Sequence, residues 1–290
     1  MTTTQVYIDF VKKLKTVYDE RETENIADWV FENITGLKKW ERRENGTNEL
    51  PEIHFNKIEK YLGELLQNKP VQYVLNECWF YKRKFYVNEN VLIPRPETEE
   101  LVEWIIKDIR EINARDSKPT NIIDVGTGSG CIPISLKKEL SKTNITAIDI
   151  SEKALSVAKK NAKNLKAEIK FPQIDFLNKN EWNQLGQYDI IVSNPPYIPI
   201  KEKDILKRNV VDFEPGIALF VENNDPYIFY EKIGKFAKTH LKENGKIYVE
   251  VHEDHANNVK DVFEKAGMTT TLKKDIYGKE RMVKAIKSVC

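Results

Sequence analysis

The chain has 290 residues, 40% of them apolar and 10% aromatic, which is enough for a large domain with or without a smaller one. Its 46 basic and 45 acidic residues leave a net charge of +1, whereas proteins that bind nucleic acid through its phosphates usually carry a clear basic excess. The apolar runs fall well short of the ~20 residues that a membrane span needs, and the N-terminus lacks a secretory signal pattern. We therefore expect a cytoplasmic protein without membrane contact or direct nucleic-acid binding.

The cysteines and histidines do not predict a metal site. Cys78, Cys131 and Cys290 are odd in number and lie far apart without metal-ligand spacing, which favours a reducing compartment. His252 and His255 are close in sequence, but no third ligand stands near them. We therefore expect no disulfide framework and no metal.

The first part of the chain carries helical periodicity and no strand-like run, so we predict a small all-helical domain over residues 1–76 that docks a protein partner. Each of three predicted helices places apolar residues on one face: Ile8, Val11, Leu14 and Tyr18; Ile26, Trp29, Val30 and Ile34; and Ile58, Tyr61, Leu62 and Leu65.

Residues 77–94 predict a β-hairpin linker, because "CWFYKRKFYV" alternates about a basic centre. From residue 95 to 290 strands alternate with helices, which is typical of a mostly parallel, doubly wound sheet. The predicted strands are Thr120–Val125, Asn144–Ile150, Glu168–Phe171, Asp189–Ser193 and Lys246–Val251, and two closing strands around Tyr277–Gly278 predict an antiparallel edge.

A glycine-rich turn follows the first of these strands in "IIDVGTGSG". Glycines at a strand-to-helix turn let a ligand approach the backbone, although a tight turn alone would also explain them. The third glycine comes one residue earlier than in a dinucleotide fingerprint, so the loop fits a nucleoside without a pyrophosphate better than NAD. The predicted cofactor contacts in this loop are Gly126, Thr127, Gly128, Ser129 and Gly130.

The next two strands of the predicted sheet end in acidic residues. Asp149 can accept hydrogen bonds from both ribose hydroxyls, or it can simply help to start the following helix. Asp175 and Phe176 could meet the amino group and ring face of an adenine. A glycine turn, a carboxylate and an Asp-aromatic pair on successive strands predict an S-adenosylmethionine site in a Rossmann-like class I methyltransferase fold.

The fourth strand leads into "SNPPYIP", where two prolines stop a buried strand abruptly. A planar nitrogen is a poor nucleophile because its lone pair is delocalised, and two acceptors on its N–H groups would restore electron density. The side-chain oxygen of Asn194 and the carbonyl of Pro195 can be these acceptors, and Tyr197 can stack on the planar group. The alternative is a Pro-Pro turn that only ends the strand.

The chain resembles the HemK-type protein-(glutamine-N5) methyltransferases, which modify the glutamine of the Gly-Gly-Gln motif in peptide-chain release factors. The motifs that carry the resemblance are "KPVQYVL" (Lys69–Leu75), "IPRPETE" (Ile93–Glu99), "DVGTGSG" (Asp124–Gly130) and "SNPPYIP" (Ser193–Pro199). It implies that Gly126 to Gly130, Asp149, Phe176 and Asn194 contact the cofactor. It also implies that Asn194, Pro195, Pro196 and Tyr197 hold the substrate glutamine. We further expect Arg95, held between two prolines, to line the substrate pocket.

Three other functions stay open at this point. NPPY is shared with adenine-N6 methyltransferases of nucleic acid, the substrate glutamine could belong to a ribosomal protein, and a cofactor-binding protein without catalysis would keep the same glycine loop. Asn223 and Asn224 stand where the family usually has a Gly-Gly pair, and asparagine tolerates the positive φ of such a turn. We expect a monomer that acts on release factors.

Overall fold

The computed structural model describes residues 1–113 and 118–287, so Cys290 lies outside the described residues. The chain divides into two compact units. The first, here called the helical unit, comprises Met1–Glu77 and Lys207–Phe213. The second, here called the sheet unit, comprises Cys78–Leu206 and Glu214–Cys290.

The helical unit begins with five helices: α1 (Thr3–Leu14), α2 (Glu20–Thr35), α3 (Lys39–Glu44), α4 (Glu52–Leu66) and α5 (Val71–Leu75). Thr2 caps α1, because its side chain accepts from Gln5 N–H while the Gln5 side chain accepts from Thr2 N–H. Gly36 ends α2 in the left-handed conformation, with a φ of 71°.

The core of the helical unit confirms two predicted helix faces and corrects the third. Ile26, Val30 and Ile34 of α2 and Ile58, Leu62 and Leu65 of α4 are buried. On α1, however, the buried residues are Val6, Phe10 and Leu14, and Ile8 is 60% exposed. The predicted face of α1 was therefore wrong at Ile8, whereas Leu14 is buried and Val11 and Tyr18 pack against the core. Tertiary packing placed Val6 and Phe10 in the core instead of Ile8.

The sheet unit opens with the predicted hairpin and continues with alternating strands and helices. Its strands are β1 (Cys78–Phe80), β2 (Arg83–Phe85), β3 (Thr120–Val125), β4 (Thr143–Ile148), β5 (Tyr188–Ser193), β6 (Ile198–Pro199), β7 (Phe220–Val221), β8 (Leu241–Glu250), β9 (Met268–Lys274) and β10 (Glu280–Lys287). Its helices are α6 (Pro96–Asn113), α7 (Cys131–Glu139), α8 (Glu152–Asn164), α10 (Ile228–His240) and α11 (Ala256–Lys265), while α9 (Arg208–Val211) belongs to the helical unit.

Within the described residues the main sheet has six strands in the order β4-β3-β5-β8-β10-β9. The first four are parallel to one another, and β10 is antiparallel to both β8 and β9. Successive residues of β3 face opposite core clusters, with Ile122 in one and Ile123 and Val125 in the other, so both faces are covered. The predicted parallel sheet with an antiparallel edge is confirmed.

One predicted strand did not form as such. Over Glu168–Phe171 the structure has only an isolated parallel bridge between Lys170 and Thr146, followed by another between Gln173 and Asp149. The segment still runs alongside β4 and brings residues 174–177 to the carboxyl ends of the parallel strands. Among the described residues, no helix is both long and apolar enough to cross a lipid bilayer.

Candidate active site

The glycine loop between β3 and α7 is tied to the end of β4. The backbone N–H groups of Gly126 and Thr127 both donate to the carbonyl of Ile148, at 3.0 and 2.9 Å. Gly128 has a φ of 53°, and apart from Gly128 itself and its two neighbours in the chain no described residue has an atom within 4 Å of where its Cβ would be. The loop therefore leaves open space above its backbone, and that space belongs to a cavity at the carboxyl ends of the strands.

The last glycine of the loop serves packing rather than ligand approach. Gly130 has a φ of 79°, and a Cβ there would lie 3.1 Å from Ile134 Cδ1 and 3.2 Å from Ala158 Cβ. Gly130 is not among the described residues that line the cavity. The buried Asn161 side chain of α8 donates to the carbonyl of Ser129 at 2.9 Å and so holds the loop against α8.

Asp149 follows β4 and lines the cavity next to the glycine loop. Its carboxylate accepts from Gly128 N–H and from Ser151 N–H, each at 2.9 Å. Burial raises the pKa of Asp149, and these backbone hydrogen bonds oppose the rise. A carboxylate has about four lone-pair positions, so Asp149 keeps acceptor capacity for the two hydroxyls of a ribose.

A further acidic residue was not predicted as part of the site. Asp124, near the end of β3, is fully buried, and neither carboxylate oxygen has a hydrogen-bond partner among the described residues. Burial raises its pKa to about 7, which the nearby Thr127 hydroxyl offsets only in part and without hydrogen-bond geometry. A buried carboxylate without a partner is costly. Asp124 is not among the described residues that line the cavity, but Val125 and Gly126, which follow it, are. The only signal in the sequence was an acidic residue closing an apolar strand.

Asp175 and Phe176 also line the cavity, as the sequence analysis expected of cofactor contacts. The Asp175 carboxylate accepts from Leu177 N–H at 2.9 Å, and this hydrogen bond shapes the turn that follows the segment beside β4. Phe176 is 5% exposed and packs edge-on against Phe236, with ring centroids 5.3 Å apart. Its ring is therefore fixed by the core while one part of it stays at the cavity.

The SNPPY loop starts where β5 ends, and Ser193 anchors it by donating from its hydroxyl to Val125 O at 2.7 Å. Of the described loop residues, Asn194 and Pro196 line the cavity. Pro195 is buried, and Tyr197 packs against the core cluster on one sheet face. The Tyr197 hydroxyl donates to Glu250 Oε1 at 3.3 Å, and burial raises its pKa.

The Asn194 side chain is held by a residue of the IPRPETE segment. Asn194 Nδ2 donates to Thr98 Oγ1 at 3.2 Å, and the Thr98 hydroxyl donates to Glu250 Oε2 at 2.6 Å. Thr98 and Glu250 are each 2% exposed. Neither residue was predicted as part of the site, because these contacts join α6, the loop after β5 and β8 over long sequence separations.

Arg95 lies at the cavity, where the sequence analysis expected it. Its guanidinium Nη2 contacts Glu214 Oε1 at 2.6 Å, and Glu214 Oε2 also accepts from Ile93 N–H at 3.2 Å. Glu214 is buried, so this ion pair fixes the Ile93–Glu99 segment to the segment that follows residue 213. Pro215 and Ile217 of that segment complete the cavity wall beside Arg95.

The cavity thus gathers most of the predicted site residues within the sheet unit. Those that line it are Arg95, Gly126, Thr127, Gly128, Ser129, Asp149, Asp175, Phe176, Asn194 and Pro196. Residues 90–92, which follow the hairpin, line it as well and were not predicted. In the described ranges there is no cluster of His, Cys, Asp and Glu that could hold a metal ion.

The site and fold were compared with known proteins. Residues 109–212 match the family model described as the methyltransferase small domain. A release factor glutamine methyltransferase of Flavobacterium psychrophilum is 44% identical over 276 residues, which cover 95% of each chain. The chain belongs to the release factor glutamine methyltransferase family. An enzyme of the same name from Lactococcus lactis is 36% identical over 94% of this chain and 98% of the other.

Membership of the release factor glutamine methyltransferase family confirms the resemblance inferred from the IPRPETE and SNPPYIP motifs. A solved methyltransferase from Pyrococcus furiosus superposes with a TM-score of 0.51, covering 80% of this chain and 100% of that one. At 16% identity that likeness bears on the fold alone, and it confirms the predicted class I methyltransferase architecture. The members of this family are enzymes, so the reading of a cofactor-binding protein without catalysis is not supported.

Proposed function

We propose that this enzyme transfers a methyl group from S-adenosylmethionine to the side-chain amide nitrogen of the glutamine in the Gly-Gly-Gln motif of release factors. The observation that carries the proposal is that Asp149 of the predicted cofactor site and Asn194 of the SNPPY loop line the same cavity. The two release factor glutamine methyltransferases that cover nearly the whole chain support the substrate.

The residues around the glycine loop fit S-adenosylmethionine. Gly126 and Gly128 leave space where a Cβ would stand, and Asp149 retains acceptors for ribose hydroxyls. The unpartnered carboxylate of Asp124 lies beside the loop and suits the ammonium group of the methionine portion. When bound, the cofactor supplies an electrophilic methyl group on a sulfonium. Phe176 adds an apolar surface to the same cavity for the adenine.

The SNPPY loop would prepare the substrate nitrogen. The Asn194 side-chain oxygen and the Pro195 carbonyl would accept from the two N–H groups of the glutamine amide, which orients the nitrogen and returns electron density to it. The prolines limit the backbone freedom of the loop, so the acceptors need no reorganisation at the moment of transfer. Tyr197 would lie on the planar amide and exclude water, and Arg95 and Pro196 would line the path of the substrate.

The partner is a protein rather than a nucleic acid in this proposal. The chain has a net charge of +1 and therefore no general basic excess to hold phosphates. The helical unit has a core of its own and presents a surface on which a release factor could dock. We propose that the enzyme works as a monomer in the cytoplasm, where release factors act.

A methyl-transfer assay tests the proposal. Purified enzyme is incubated with methyl-labelled S-adenosylmethionine and a release factor, or the same factor with its Gly-Gly-Gln glutamine replaced by alanine. Label in the first factor alone is the expected result. Equal label in both factors, or label in added DNA, RNA or ribosomal protein instead, would contradict the proposed substrate.

A further inference from the structure

A short chain of hydrogen bonds runs from the interior of the sheet to the substrate loop. It begins at Glu250, the last residue of β8, passes through Thr98 in the first turn of α6, and ends at Asn194. The two bonds measure 2.6 and 3.2 Å. Both Glu250 and Thr98 are 2% exposed, so water does not compete for these groups.

The chemistry of the three groups determines which one donates and which one accepts in each of these two hydrogen bonds. An ionised carboxylate can only accept hydrogen bonds, so Glu250 obliges the Thr98 hydroxyl to donate to it. The single proton of that hydroxyl is then used, and the Thr98 oxygen can only accept from its other neighbour. Asn194 must therefore turn its NH₂ group toward Thr98, which leaves its oxygen on the other side of the amide.

Glu250 also holds the second functional side chain of the loop. Its Oε1 accepts from the Tyr197 hydroxyl at 3.3 Å, while its Oε2 accepts from Thr98. Two hydroxyl donors thus converge on the two oxygens, an arrangement that satisfies an ionised carboxylate. Burial raises the pKa of Glu250 and the charge of Glu97 adds to the rise, whereas the hydrogen bonds from Thr98 and Tyr197 and the positive charge of Arg281 favour the ionised form.

We propose that Thr98 and Glu250 are positioning residues, which set the orientation of the Asn194 amide so that its oxygen, and not its NH₂ group, meets the substrate nitrogen. The inference rests on the proposed function, because it gives Asn194 the task of accepting from the substrate amide. An Asn194 amide in the reversed orientation would present a donor to a donor and could not hold the nitrogen. The IPRPETE segment therefore acts on the chemistry through Thr98 as well as through the ion pair of Arg95.

The test uses the full chain with Thr98→Val, which removes the hydroxyl at nearly constant volume, and Thr98→Ser, which restores it. Removing a hydrogen bond from a buried group corresponds to a factor of about 10 to 100, so Thr98→Val should lower kcat by about that factor. The dissociation constant of S-adenosylmethionine should change less than kcat, since the substitution leaves Asp149 and the glycine loop in place and reaches the cofactor only through Asn194. Thr98→Ser should recover most of the lost kcat.

A double-mutant cycle separates positioning from general damage. In the Asn194→Ala background no amide remains to be oriented, so adding Thr98→Val should cause no further loss of kcat. If Thr98→Val fails to fold, Glu250→Gln takes its place, because glutamine puts an NH₂ group, which cannot accept, where one of the two hydroxyls now donates to an oxygen. It should lower kcat by about tenfold for one lost hydrogen bond. The loss should be smaller in the Asn194→Ala background, where Glu250 holds only Tyr197 of the loop.

The outcomes distinguish this inference from the proposed function. If the wild-type enzyme methylates the release factor and Thr98→Val leaves kcat unchanged, the positioning role is wrong and the proposed function stands. An equal loss from Thr98→Val with and without Asn194 would also overturn the positioning role. If the wild-type enzyme does not label the release factor at all, the proposed function itself fails.

Discussion

Replacing Asp149 with alanine should weaken the binding of S-adenosylmethionine more than it alters turnover at saturating cofactor. In the structure the carboxylate accepts two backbone N–H groups, from Gly128 and Ser151, at 2.9 Å each. These bonds orient the carboxylate and leave about half of its acceptor positions for ribose hydroxyls. Asp149→Ala would remove those acceptors and would also release the Gly128 N–H that shapes the loop.

The size of the effect follows from the kind of hydrogen bond that is lost. A hydrogen bond to a charged group contributes about 1.5 to 3 kcal/mol. Two bonds to the ribose at the lower end amount to about 3 kcal/mol, which corresponds to a rise in Kd of the order of a hundredfold. Asp149 is largely enclosed rather than solvent-exposed, so salt should change this result little.

Isothermal titration calorimetry with S-adenosylmethionine measures the change directly, well below the unfolding temperature of the variant. Glu152→Ala is the matched control, because Glu152 carries the same charge in the first turn of α8 but is exposed. Its Kd should stay within about twofold of the wild type. An unchanged Kd in Asp149→Ala, with the loop still folded, would refute the assignment of this carboxylate to the ribose.

Three further predictions concern the rest of the site. Asn194→Ala should lower kcat by about 10² to 10³, which is the effect of losing one preorganised hydrogen-bond group in other enzymes, and it should change the cofactor Kd less. A kcat within a few-fold of the wild-type value in a steady-state assay would contradict this prediction. Because burial raises the pKa of Asp124 to about 7, and its ionised form should hold the cofactor ammonium, cofactor affinity should fall as the pH drops below about 7. Asp124→Asn should remove that dependence, and a wild-type Kd that does not vary between pH 6 and 8 would count against it. Gly130→Ala should lower the free energy of unfolding by at least about 1 to 2 kcal/mol because its φ is 79°, whereas Gly186→Ala, with open space around it, should change denaturant unfolding little.

The sequence predicted the architecture well, because periodicity reports which face of an element is buried. The alternation of strands and helices, the hairpin and the antiparallel edge all appear in the structure. On α1 periodicity did not predict that Phe10 is buried and Ile8 exposed, because apolar residues stand at both positions and packing against the other helices determines which one enters the core. The Glu168–Phe171 segment has strand composition but pairs with β4 at isolated positions only.

The site was predictable where motifs follow strand ends, and not where distant residues meet. The glycine loop, Asp149 and Asn194 were found because parallel strands place their carboxyl ends together. Thr98 and Glu250 were missed because a hydrogen bond between residues so far apart in sequence leaves no periodic trace. Asn223 was expected to permit a positive φ, but its φ is not positive; instead its side-chain oxygen accepts from Lys201 N–H at 2.8 Å.

The central claim is that the substrate is the amide nitrogen of one glutamine. Release factors isolated from cells with and without this protein can be digested, and the peptide with the Gly-Gly-Gln motif can be sequenced by tandem mass spectrometry. The account predicts one added methyl group on the glutamine side chain in the first cells and an unmodified glutamine in the second. The same methylated glutamine in both kinds of cell, or a methyl group on a different residue, would contradict it.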